Sequence, residues 1–145
     1  MSNNKEKIDI LLVDNFEKTR KIIKSILKKA GYKVIDVSDA KEAVQRINTK
    51  KPDIIISEVK LPKISGLVFY QKVKKQSSLK AIPFIFISNC DKKTIIPLIQ
   101  KSNDIFISKD LSWKEVLLQI ENFISKRLAK QVKKSPQSDI KVKQT

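Results

Sequence analysis

The sequence predicts an α/β fold in which five parallel strands form a sheet with helices on both faces. Three observations carry this expectation. Short Ile- and Val-rich runs of strand length alternate strictly with longer amphipathic runs, five times over. The short runs are continuously apolar, without the polar alternation of a half-exposed sheet, so both of their faces are expected to be covered. The length of 145 residues and the 41% hydrophobic content fit one domain with a substantial core.

Each element follows from local pattern. "KIDILLVD" is an apolar run with a charged end, too short for a helix. In "NFEKTRKIIKSILKKAG", Phe16, Ile22, Ile23, Ile26, Leu27 and Ala30 fall near one helical face, lysines fill the other, and Gly31 ends the turn. "YKVIDVS" is a second strand. In the next helix Asp39 is the cap, and Ala40, Ala43, Val44 and Ile47 form the apolar stripe. Pro52 separates that helix from a third strand, "DIIISE", and "SGLVFYQKVKKQ" reads as the third helix. "IPFIFIS" is a fourth strand with Pro83 at its very start, where a missing amide is harmless. "DKKTIIPLIQKS" reads as a short helix disturbed or delayed by Pro97. "DIFIS" is the fifth strand. The final helix carries Trp113, Val116, Leu117, Ile120, Phe123 and Ile124 at i, i+3, i+4, i+7 spacing. A folded body over residues 7–126 and a basic tail over 127–145 are expected, the last residues lacking any period.

Composition excludes several chemistries. No run approaches the roughly 20 apolar residues of a membrane span. The polar start "MSNNKEKID" has no signal-peptide core, so a cytoplasmic location is expected. A single cysteine, Cys90, cannot form an internal disulfide, and the absence of histidine removes imidazole metal ligands and Ser-His or Cys-His nucleophile pairs. Two glycines in all leave no glycine-rich phosphate cradle, and no enzymatic active site of another kind is visible. The formal charge is +16, and residues 1–125 still hold 24 basic against 14 acidic residues. The excess is therefore dispersed, arginine is scarce and no aromatic-basic interleaving appears, so nucleic acid ranks below protein as a partner.

In sheets of this kind ligand chemistry collects at the carboxyl ends of the strands. The first strand delivers Asp14 and Asn15 there, the third Glu58, the fourth Ser88 and Asn89, and the fifth Ser108 and Lys109. Two acids, a hydroxyl and a lysine converge on one edge.

Order and spacing together resemble the receiver domain of two-component response regulators, over about residues 7–126. "ILLVDN" is similar to that family's first strand with its acidic pair. "PDIIISEVKLPKISG" resembles its phosphoacceptor strand and the loop that follows. "PFIFIS" ends on the hydroxyl position, Ser88, and "DIFISK" carries the switch aromatic, Phe106, and the lysine, Lys109. The resemblance implies a flavodoxin-like (βα)5 fold with strand order 2-1-3-4-5. It also implies a chemistry in which a divalent ion, usually magnesium, and the lysine neutralise a phosphoryl group as an aspartate attacks it. The hydroxyl and the aromatic then rearrange the face of the fourth and fifth helices that partners read.

The chain departs from that pattern at the residues that matter most. Glu58 stands where the acceptor aspartate belongs, its carboxylate one methylene further out, and Asn15 stands for the second metal-binding acid. Asp110 follows Lys109 where proline is usual, Ser102-Asn103 replaces a small-residue turn, and Pro97 lies on the signalling helix. The site is therefore read as degenerate: Glu58 at the acceptor position, Asp14 and Asn15 as a vestigial acidic pocket, Ser88 and Lys109 as phosphate-contact positions, and Phe106 as the switch aromatic. No catalytic residue and no resident cofactor are expected, with magnesium held weakly at most. Beside these readings stand plainer ones: Asp14 with Lys109 as an ion pair at the sheet edge, Ser88 as a strand-end hydroxyl, and Phe106 as packing.

Three functions follow. The first is an atypical, stand-alone receiver working by protein contact through the fourth and fifth helices, with a histidine kinase or another signalling protein as partner and without ordinary phosphorylation. The second is a response regulator phosphorylated unconventionally, at Asp14 or Ser57. The third is a binder of nucleic acid or anionic surfaces built on the same scaffold, served by the basic tail.

Overall fold

The computed structural model describes residue 5 and residues 7–127; all of the expected tail except Arg127 lies outside the described residues. Five strands, β1 (Asp9–Val13), β2 (Lys33–Val37), β3 (Ile54–Ser57), β4 (Phe84–Ser88) and β5 (Ile105–Ser108), pair in parallel in the order β2-β1-β3-β4-β5. The helices α1 (Glu17–Lys29), α2 (Ala40–Thr49), α3 (Gly66–Lys75) and α4 (Lys92–Ile99) alternate with them, and α5 runs over residues 113–127. The expected fold class is therefore the observed one. Among the described residues no helix is long and apolar enough to cross a membrane.

The pleat divides the strand residues between two cores. Leu11, Val13, Ile55, Phe84 and Phe86 point towards α2, α3 and α4, where they meet Ala43, Ile47, Phe69, Val73, Ile95 and Ile99. Ile10, Leu12, Ile54, Ile56, Ile85 and Ile87 point the other way, against Ile23 and Leu27 of α1 and Val116, Ile120 and Ile124 of α5. Both faces of β1, β3 and β4 are thereby buried, as their unbroken apolar runs require. Only the edge strand β2 alternates, and its Ile35 is exposed.

Caps and breaks fall where their chemistry allows. Asp39, Ser65 and Asp91 accept backbone amides as N-caps of α2, α3 and α4. Gly31, at φ +107°, turns the chain out of α1 in a conformation that side chains resist. Gly66 has a steric reason instead: a Cβ there would stand 2.2 Å from the Glu58 carbonyl oxygen. Three expectations need correction. Phe16 is not part of the first helix's apolar face; it is the N-cap residue in extended conformation and is 55% exposed. Val44 closes no core stripe either, since α2 turns it towards solvent beside α3. Pro97 does not delay α4, which starts at Lys92, but lies within it.

Candidate functional site

Strand register brings the site together. Val13 pairs with Ser57, so the next residues, Asp14 and Glu58, emerge side by side at the carboxyl edge of the sheet. Ser88 pairs with Ser108, which puts Asn89 beside Lys109, and the Lys109 amide donates to the Ser88 carbonyl at 3.0 Å. Four of the expected positions thus meet, and all are buried or nearly so: Asp14 is 1% exposed, Glu58 4% and Ser88 0%, while the Lys109 side chain is 8% exposed.

Lys109 is the hub. Its Nζ lies 2.5 Å from Glu58 Oε1 and 3.0 Å from Asp14 Oδ2, so one ammonium faces two carboxylates. The Phe16 ring stands with its centroid 5.3 Å from the same nitrogen, a cation–π contact at the mouth of the site. The other oxygen of each acid is also held. Glu58 Oε2 accepts the Val59 amide at 2.6 Å and the Lys60 amide at 3.1 Å, curling the side chain back over its own backbone. Asp14 Oδ1 accepts the Phe16 amide at 2.9 Å, and Arg20 grips the Asp14 carbonyl from α1 at 2.9 Å. Burial nevertheless pushes the Asp14 carboxyl above its ordinary value of 3.8, outweighing the Phe16 amide and the Lys109 charge, which act downward; the Glu58 carboxylate beside it pushes the same way as burial.

The remaining residues are placed differently. Asn15 is exposed and does not line the cleft. Phe106 is half-buried against the core beneath α4. Ser88 Oγ accepts the Cys90 amide at 3.2 Å and faces the cleft. Every peptide bond among the described residues is trans, including the one before Asp110. Around these groups Phe16, Thr19, Lys60 and Asn89 shape an open cleft of about 290 Å³. Phe16, Thr19 and Lys60 escape sequence reasoning, because nothing in a helix start or a loop announces that it leans over a strand end.

The donors present do not fit a hard dication. Two carboxylates converge where a metal needs several free oxygens, both are already bonded to Lys109, and Asn15 is exposed outside the cleft. Among the described residues no three acidic or cysteine side chains cluster as ligands. The arrangement instead fixes two negative charges and one positive charge at the end of the sheet.

Comparison with known proteins agrees with this reading of the fold. The family model for the response regulator receiver domain matches residues 10–121. Among curated proteins, the alkaline phosphatase synthesis transcriptional regulatory protein PhoP of Bacillus subtilis is 29% identical over 77% of this chain and 46% of its own length. The probable transcriptional regulator ycf27 of Cyanidium caldarium is 27% identical over 98% of this chain and 56% of its own. The chain thus spans about half the length of these two relatives. Among solved structures, the signal receiver domain of a signal transduction histidine kinase from Syntrophus aciditrophicus superposes with a TM-score of 0.71 at 27% identity. That match covers 81% of this chain and 89% of the other. NtrX from Brucella abortus gives 0.78 at 25% identity, covering 88% of this chain and 29% of the other. Fold, strand order and the converging strand-end residues all point one way: the chain belongs to the response regulator receiver domain family.

Proposed function

We propose that this chain is an atypical receiver that signals through protein contact, in the cytoplasm and without ordinary phosphorylation, and that it catalyses no reaction of its own. The observation that carries the proposal is the state of Glu58. Both of its carboxylate oxygens are engaged, Oε1 by Lys109 and Oε2 by two backbone amides, so neither is free to attack a phosphoryl group in line. Asp14 shares the same lysine and Asn15 is exposed outside the cleft, which leaves few free oxygens to hold a metal that would neutralise an incoming phosphate. Glu58 places a carboxylate of the chain itself at the acceptor position, with no transfer step needed to put it there. The partner surface is the face of α4, β5 and α5, where Ile96 and Leu98 of α4 and Leu118 of α5 are exposed, and a histidine kinase or another signalling protein is the expected partner.

Unconventional phosphorylation is less well supported. Asp14 is engaged at both oxygens, and Ser57 is fully buried with its hydroxyl donated to the Glu58 carbonyl at 2.8 Å. Incubation with acetyl phosphate and magnesium, followed by intact-mass measurement, tests both readings. The native chain should stay at its unmodified mass, and a stoichiometric phosphate adduct would overturn the proposal. The double change Asn15→Asp and Glu58→Asp should restore some magnesium-dependent adduct by shortening the acid at the strand end and adding a carboxylate next to Asp14.

A further inference from the structure

A recess larger than the cleft at Glu58 opens elsewhere on the surface. It lies between α2 and α3, has a volume of about 410 Å³, and falls within the range of roughly 300–1,000 Å³ typical of ligand sites. Its floor is apolar: Val44 of α2, Pro62 and Ile64 of the β3–α3 loop, and the buried ring of Phe69. Its rim is basic, with Lys41, Lys63 and Lys72 all exposed. The acid on the rim, Asp39, already caps α2 by accepting the Glu42 amide at 2.8 Å. From this geometry we infer that the recess is a docking groove for a short, acidic, amphipathic helix of a partner protein.

The rim is preformed. Lys63 sits at φ +66°, a region that side chains rarely occupy, and the Ile64 amide closes on the Pro62 carbonyl at 2.7 Å to make a tight γ-turn. A lysine held in such a conformation over an apolar floor is the kind of local strain that gathers at binding surfaces. The loop is anchored at its other end by the close approach of Gly66 to the Glu58 carbonyl, and the Gly66 amide bonds the Val59 carbonyl at 2.7 Å.

Charge and shape select the occupant. A second copy of the chain carries +16, and residues 128–145 hold five lysines against one acid, Asp139, so the lysine rim repels both. Nucleic acid would satisfy the lysines but leave Val44 and Ile64 facing phosphate and sugar. Strand addition needs a free sheet edge, whereas helices and a loop wall this groove. A helix with two or three apolar anchors at i, i+3 or i+4, and i+7 fills such a floor, and flanking Asp or Glu side chains meet the three lysines. This surface is separate from the α4–β5–α5 face and requires no particular state of Glu58.

Selection of a displayed library of random short peptides on the full chain tests the assignment. Enriched peptides should carry Asp or Glu flanking apolar residues at helical spacing. The tightest of them, synthesised and titrated into labelled protein, should shift the amide resonances of Val44, Lys63 and Ile64. Val44→Glu and Lys72→Glu, both at exposed positions and checked for folding by thermal melting, should each weaken that peptide about tenfold or more, whereas Leu118→Glu on α5 should not. No enrichment, enrichment of basic or uncharged sequences, shifts confined to another face, or binding indifferent to both groove variants would each overturn the inference.

Discussion

At Lys109 one ammonium balances two buried carboxylates, and this sets the response of the site to mutation. Removing the lysine leaves Asp14 and Glu58 facing each other without a cation, in surroundings almost closed to water. Lys109→Met should therefore destabilise the domain by about 3–5 kcal/mol at neutral pH, read from urea unfolding. Acid should recover part of that loss as the carboxylates protonate. Asp14 predicts a second pH effect. Its raised pKa means that the native state binds the proton more tightly than the unfolded chain, so this contribution to stability is fully present below about pH 3.8 and is lost as pH rises through the folded value. Asp14→Asn should flatten that decline, and an unchanged stability–pH profile would show that the burial of Asp14 is offset in some other way. The positions of these residues were legible in the sequence because each strand stops being apolar at a countable point. Their directions were not. Whether Glu58 reaches into the cleft or curls onto its own amides, and whether Asn15 faces in or out, depends on rotamers set by neighbours far along the chain.

Elements were readable to the extent that a single period governed them. Val116, Ile120 and Ile124 of α5 announce their helix, and Pro83 marks the start of β4. Exceptions arise where a residue answers to tertiary contacts. Asp104, the first residue of the expected strand "DIFIS", is buried at the amino end of the sheet. It accepts the Phe84 amide at 2.8 Å and the Tyr70 hydroxyl at 2.8 Å, with Lys74 at 3.0 Å and Arg127 at 3.5 Å. One carboxylate thereby ties α3, β4, β5 and α5. Burial, with Asp104 beside it, pushes the Tyr70 phenol up to about 12. The folded state keeps that proton longer than the unfolded chain, so this contribution to stability is present below about pH 10 and lost as pH rises towards about 12. Tyr70→Phe should cost about 1.5–3 kcal/mol in urea unfolding at neutral pH, the range for a hydrogen bond to a charged group. Pro97 is the converse case. It lies exposed inside α4 without an amide to donate, so Pro97→Ala should stabilise the helix by up to about 3 kcal/mol, visible as a higher melting temperature.

For the whole molecule, the alternation of strands and helices makes the topology almost unavoidable, while charge leaves the choice of partner open. Because 24 basic residues stand against 14 acids before residue 126, weak binding to generic duplex DNA at low salt should fall steeply with added salt. A chain ending at residue 127 should keep most of that salt slope, and its complete loss would place the effect in the tail instead. On the proposed reading of Glu58 as a fixed charge in place of a phosphoryl group, one consequence is of timing. An acyl phosphate is a clock, because water removes it and the signal ends. Glu58 is part of the polypeptide and cannot be hydrolysed away, so any output it sets lasts as long as the molecule does. Control of such a signal then passes from chemistry at the sheet edge to the abundance of the protein, its rate of destruction, or competition for its partner.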